Sequence, residues 1–123
     1  MISFSGGVDI VPRLEYYRAG GDAGNTSPAL MENVYGDLDQ AIHGEHNIFD
    51  LAKNYDTSKW PLPKLFACCG EQDERVYSAN RKLEEVYRGL GGDVTFYSAP
   101  GRHNFHFWNQ ALEKVIYEWL PLD

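Results

Sequence analysis

Five consecutive apolar residues, Leu65-Phe-Ala-Cys-Cys69, lie between Pro61 and Pro63 on one side and Gly70 on the other. A strand with one wet face alternates apolar and polar residues. This run does not alternate, so it suits a strand covered on both faces, as in a parallel sheet. The residues that follow agree. Val76, Ala79, Leu83, Val86, Tyr87 and Leu90 recur at helical spacing, and Gly91-Gly92 is placed to end that helix. Val94-Thr-Phe-Tyr-Ser98 reads as a second strand closed by Ala99-Pro100-Gly101. Trp108, Ala111, Leu112, Val115, Ile116 and Trp119 form the stripe of a last helix, which Pro121 stops. Residues 63–123 are expected to form a βαβα unit, and the fold class is α/β.

Upstream the pattern is less regular. Residues 1–10 open as a strand, Met1-Ile-Ser-Phe-Ser5, that breaks at Gly6-Gly7. Residues 11–62 mix turn signals with two short helical patches. Ser27-Pro28 offers a cap and a first-turn proline for a helix carrying Leu30, Met31, Val34 and Tyr35, and Ile48, Phe49, Leu51 and Ala52 mark the second. A connection this long is read as a cap-like excursion, a lid or pocket wall.

Composition excludes some partners. No apolar run approaches the length of about 18 residues that a membrane span needs, and no basic start leads into an apolar stretch like that of a signal peptide. Eleven Lys and Arg against eighteen Asp and Glu give a formal charge of −7, which argues against nucleic acid as a partner. Cys68 and Cys69 are adjacent, and neighbours on a strand point to opposite faces, so a disulfide between them would be strained. They read as buried thiols of a reducing compartment, and a cytoplasmic location is expected.

In open parallel sheets the reactive residues sit just past the carboxyl ends of the strands. Here those loops are Gly70-Glu-Gln-Asp73 and Pro100-Gly-Arg-His103. An acid after one strand and a histidine after the next can orient an imidazole as general base, and the order Asp then His is that of α/β-hydrolases. Each residue has a plainer role too: Asp73 as a cap of the helix through Tyr77, His103 as a solvated loop residue. Their pairing at matching strand ends favours Asp73 and His103 as catalytic. His106 is expected at the rim.

Other patterns are weaker. Ser3-Phe-Ser5-Gly-Gly7 satisfies a relaxed nucleophile-elbow pattern, but Val8 to Pro12 is a poor helix start, so Ser5 is read as a strand-end loop residue rather than the nucleophile. His43-Gly-Glu-His46 and His103-Asn-Phe-His106 lack the HExxH spacing and any cysteine partner, so no metal is expected. Gly20-Gly-Asp-Ala-Gly24 lacks the Lys-Ser/Thr ending of a phosphate loop, and no cofactor is expected. Tyr16, Tyr17, Phe105, Phe107 and Trp108 would suit either an acyl pocket or core packing. The charged runs Asp73-Glu-Arg and Arg81-Lys-Leu-Glu-Glu85 read as solvated helix faces.

Three stretches carry a resemblance: Leu62-Pro-Lys-Leu-Phe-Ala-Cys-Cys-Gly-Glu-Gln-Asp73, Gly91-Gly-Asp-Val-Thr-Phe96, and Ala99-Pro-Gly-Arg-His-Asn-Phe-His-Phe-Trp108 with the closing Trp119-Leu-Pro121. They resemble the C-terminal half of the esterase D-type esterases, α/β-hydrolases that include tributyrin, acetylxylan and feruloyl esterases and S-formylglutathione hydrolase. Ser3-Phe-Ser-Gly-Gly-Val-Asp9 is similar, more loosely, to the strand after that family's nucleophile helix. The resemblance implies the C-terminal portion of an α/β-hydrolase sheet with flanking helices. It also implies hydrolysis of small-molecule carboxylic esters by a Ser-Asp-His triad, with Asp73 as acid and His103 as base.

The family's GxSxG elbow is expected upstream of Met1, so the chain by itself is expected to be inactive. The alternative is a catalytically silent α/β portion that binds a partner chain. In either case the open half-sheet predicts a homo-oligomer or pairing with the missing N-terminal half.

Overall fold

A computed structural model of the chain describes residues 1–121; the final positions of the expected βαβα unit, 122 and 123, lie outside the described residues. The chain divides into two compact units, Met1–Val8 with Asp56–Asp123, and Asp9–Tyr55.

The first unit is built on the apolar run. β1 (Ile2–Phe4), β2 (Leu65–Gly70) and β3 (Val94–Ala99) form a three-stranded parallel sheet in the order β1-β2-β3. All six residues of the central strand β2 are buried. This is the double coverage that the unbroken apolar run implies. One face packs under the helix α6 (Phe105–Lys114): Phe66 and Cys68 meet Phe107, Ala111 and Val115, with Phe4, Tyr97 and Trp119 around them. The other face receives α5 (Tyr77–Gly89), which buries Asn80, Leu83, Glu84 and Tyr87. The Tyr87 hydroxyl donates to the Pro63 carbonyl just before β2, and Asn80 Nδ2 reaches the Gly6 carbonyl just past the end of β1 at 2.8 Å, tying α5 to the sheet at both ends of its strands.

The end of α5 is as the glycine pair predicts. Gly91 has φ +79°, and its N–H bonds to the Arg88 carbonyl while that of Gly92 bonds to the Tyr87 carbonyl. These are the paired bonds of a Schellman cap, which a glycine makes without the Cβ clash of other residues.

Two details differ from the sequence reading. In the last helix the fully buried row is Phe107, Ala111 and Val115, four residues apart, while Leu112 remains 43% exposed. That helix passes at Val115 into a π-helical turn (Val115–Trp119), with Leu120 N–H bonding to the Val115 carbonyl at 2.8 Å. Nor is the run Arg81–Glu85 wholly solvated. Glu84 is buried, held by Arg81 at 2.5 Å and Arg88 at 3.1 Å, because two arginines one turn away on either side replace its water.

The second unit holds four short helices: α1 (Val11–Arg18), α2 (Pro28–Tyr35), α3 (Leu38–Ile42) and α4 (Ile48–Lys53). Ser27 caps α2, its Oγ accepting from Leu30 N–H at 3.3 Å, and α4 spans the second expected patch. α1 and α3 were not anticipated. Pro12 sits in the first turn of α1, where its missing N–H costs nothing, so the residues read as a poor helix start do begin one. Leu14, Tyr17, Met31, Leu38, Ala41 and Ile42 form this unit's own core.

Candidate active site

β2 and β3 are adjacent and parallel, so the loops after their carboxyl ends meet. Backbone bonds stitch them: Glu71 N–H to the Ala99 carbonyl at 3.0 Å and Gln72 N–H to the Gly101 carbonyl at 2.9 Å. The Gln72 side chain adds a third, its Oε1 accepting from Gly101 N–H at 2.7 Å. Gly70 makes this approach possible. A Cβ there would lie 2.6 Å from the Gly101 carbonyl carbon and nearer still to its oxygen.

Across this seam the Asp73 carboxylate faces the His103 ring, Oδ2 to Nδ1, at 2.8 Å. The side chain of Asp73 is 1% exposed and that of His103 38%. The carboxylate is therefore withdrawn from water while the imidazole reaches it. Asp73 does not act as a helix cap through its side chain: the cap position of α5 is Val76 and has no side-chain bond, and Asp73 offers only its backbone carbonyl to Val76 and Tyr77 N–H. Against a buried carboxylate the favoured tautomer carries its proton on Nδ1, which leaves Nε2 as the basic nitrogen. Asp73 Oδ1 is buried without a hydrogen-bond partner among the described residues. Leaving such an oxygen unpaired is costly, and such costs concentrate at working sites.

Three neighbours, Cys69, Trp108 and Ser5, are not readable from the sequence as partners of this pair. Cys69 Sγ donates weakly to Asp73 Oδ2 at 3.8 Å. Trp108 stands edge-to-face against His103, with ring centroids 5.0 Å apart and planes at 82°. Its Nε1–H donates to Ser5 Oγ at 3.1 Å. The alternation of a strand, which puts Cys69 and Cys68 on opposite faces, was the available signal for Cys69. Both thiols are free and buried, and burial pushes them up to about 11 for Cys69 and about 12 for Cys68.

Ser5 ends β1 at φ +46°, a left-handed conformation rare for a non-glycine residue and typical of sharp strand-end turns. No helix follows it directly, since α1 begins only at Val11, and the residue is 3% exposed with its Oγ taken by Trp108. His106, at the exposed start of α6, lies 3.4 Å from the Gln110 amide. Of the aromatics, Tyr17 and Phe107 are buried while Phe105 is 76% exposed. His43 and His46 line a cavity of about 770 Å³ formed by residues of the second unit alone, with Tyr35, Asp37 and Gln40.

No family model matches the chain. It is 30% identical over 87 residues, 71% of its length, to an acetyl esterase of Caldicellulosiruptor saccharolyticus, of which that match covers 32%. Its structure is similar to the apoenzyme of S-formylglutathione hydrolase (FrmB) from Staphylococcus aureus. The TM-score is 0.69 at 20% sequence identity, over 94% of this chain and 42% of that one. The fold is thus that of an α/β-hydrolase, and the chain spans about a third of the acetyl esterase and under half of the structural neighbour. Both similarities agree with the resemblance carried by Leu62–Asp73 and Ala99–Trp108.

Proposed function

We propose, starting from the chain's place among the esterase D-like α/β-hydrolases, that it contributes the acid–base pair of a serine carboxylesterase acting on short-acyl esters. The observation that carries this reading is the 2.8 Å contact between His103 Nδ1 and the buried Asp73 carboxylate, at the carboxyl ends of neighbouring parallel strands. In the proposed reaction His103 Nε2 takes the proton of a serine hydroxyl as its oxygen attacks the ester carbonyl. Asp73 holds the resulting imidazolium. The same proton then passes to the departing alcohol, and water, deprotonated by Nε2, cleaves the acyl-serine. The attacking serine is proposed to lie in the part of the hydrolase that this chain does not span. Acetyl is the acyl group that the sequence relative suggests.

The test is a chimera in which this chain, with Asp73 and His103, replaces its counterpart in the acetyl esterase. The chimera is expected to hydrolyse p-nitrophenyl acetate, with Asp73→Asn lowering kcat by about 10⁴ and His103→Ala by about 10⁶. An active chimera in which His103→Ala keeps its full rate overturns the assignment. The 123-residue chain alone is expected to hydrolyse no faster than buffer. Turnover by that chain, abolished by His103→Ala, would place the nucleophile within it.

A further inference from the structure

Ser5, Cys69 and Trp108 have no part in the proposed proton transfers, yet their polar atoms run one after another toward the Asp73 carboxylate. Trp108 Nε1–H donates to Ser5 Oγ at 3.1 Å, joining positions 103 residues apart in the chain. Ser5 and Cys69 follow paired positions on neighbouring parallel strands, since Phe4 pairs with Cys68 and Ser5 N–H donates to the Cys68 carbonyl at 2.8 Å. The Cys69 thiol in turn points at Asp73 Oδ2, 3.8 Å away. That same oxygen meets His103 Nδ1 at 2.8 Å. The His103 ring then rests edge-to-face on Trp108, 5.0 Å between centroids, and the circuit closes where it began.

We propose that Ser5, Cys69 and Trp108 are positioning residues whose ring of contacts holds the His103 imidazole with Nδ1 against Asp73. The proposal rests on the reading of Asp73 and His103 as the acid–base pair.

Two features argue that the circuit is more than incidental packing. Asp73 Oδ1 has no hydrogen-bond partner among the described residues, so the groups reaching Oδ2 set the carboxylate's rotation, and the Cys69 thiol is the second of them. Ser5 occupies a left-handed backbone position with glycines at the next two places in the chain, although a glycine would adopt that conformation without strain. A hydroxyl at that point is what the Trp108 N–H requires. Three donors in the series are each used once: the indole N–H on Ser5 Oγ, and the Cys69 thiol and Nδ1–H on Asp73 Oδ2.

The experiment is nitrogen-15 NMR of His103 in the 123-residue chain, which reads the ratio of Nδ1–H to Nε2–H tautomers without any need for activity. The wild type is expected to be predominantly Nδ1–H. Ser5→Gly, which suits the backbone, and Trp108→Phe, which keeps a ring beside His103, should each lower the ratio about fivefold, the effect of one hydrogen bond. Cys69→Ala should do the same and Cys69→Ser, which keeps a donor, should restore it. If Asp73→Asn collapses the ratio while Ser5→Gly and Cys69→Ala leave it unchanged, the positioning proposal is overturned and the pair stands. If Asp73→Asn itself leaves the ratio unchanged, the pair reading fails.

Discussion

Gly70→Ala is expected to be among the most damaging single-methyl additions in the first unit. The new Cβ would sit 2.6 Å from the Gly101 carbonyl carbon and 3.0 Å from Arg102 N. Ordinary contact between heavy atoms begins near 3.5 Å, so the seam must open by roughly 1 Å. The obstacle is backbone, and no side chain can rotate away to absorb the shift. Overpacking of this kind costs about 1–3 kcal/mol. Opening the seam also weakens the bonds of Glu71 to Ala99 and of Gln72 to Gly101, at about 1 kcal/mol each. A total of about 3–5 kcal/mol, with a urea dependence of about 2 kcal/mol per molar, lowers the unfolding midpoint by about 1.5–2.5 M.

Far-UV circular dichroism in urea measures that midpoint, with Gly7→Ala as control because an added Cβ there meets nothing within 4 Å. The displacement should also pull His103 away from Asp73, which lie 30 residues apart on the two sides of the seam. The His103 tautomer ratio should therefore fall together with stability. A Gly70→Ala variant that matches Gly7→Ala in both midpoint and tautomer ratio would refute the reasoning.

Gly89, in the last turn of α5, meets nothing within 4 Å at an added Cβ and is not in the left-handed region; Gly89→Ala is expected to stabilise the chain by about 0.5–1 kcal/mol, read as a higher urea midpoint. Native Cys68 and Cys69 are expected to resist a thiol-specific disulfide reagent at pH 8, whereas both react in urea, since burial keeps them protonated up to about 12 and about 11. Because these folded-state values lie above the unfolded thiol value, the neutral thiols favour the fold below about pH 9, and that contribution is lost as pH rises through 11 to 12. The wild-type urea midpoint should fall across that range more steeply than that of a Cys68→Ala, Cys69→Ala double variant.

What the sequence disclosed depended on whether a residue's environment was set locally. The double burial of β2 was legible because a strand covered on both faces has no polar position to alternate with. The Schellman end of α5 was legible because two glycines directly follow its apolar stripe. The phase of α6 was not. Its apolar residues are dense enough to support rows through either Trp108 or Phe107, and only packing on Phe66 and Cys68 selects Phe107, Ala111 and Val115. α1 buries just Leu14 and Tyr17, too few for a period to stand out, so Pro12 was the single usable sign. The burial of Glu84 could not be read either, since it depends on two arginines folding over it.

The same distinction explains the candidate site. Asp73 and His103 were recoverable because adjacent parallel strands bring the loops after their ends together, a consequence of topology that needs no side-chain detail. Ser5, Cys69 and Trp108 were not, since their alignment rests on one left-handed residue and on the rotamers of a thiol and an indole. The two kinds of information also separate physically. Both Asp73 and His103 come from one strand-helix-strand-helix unit, so their contact is a property of that unit's folding rather than of any nucleophile brought to it. The orientation of the imidazole can therefore be measured, and broken by mutation, without any assay of turnover.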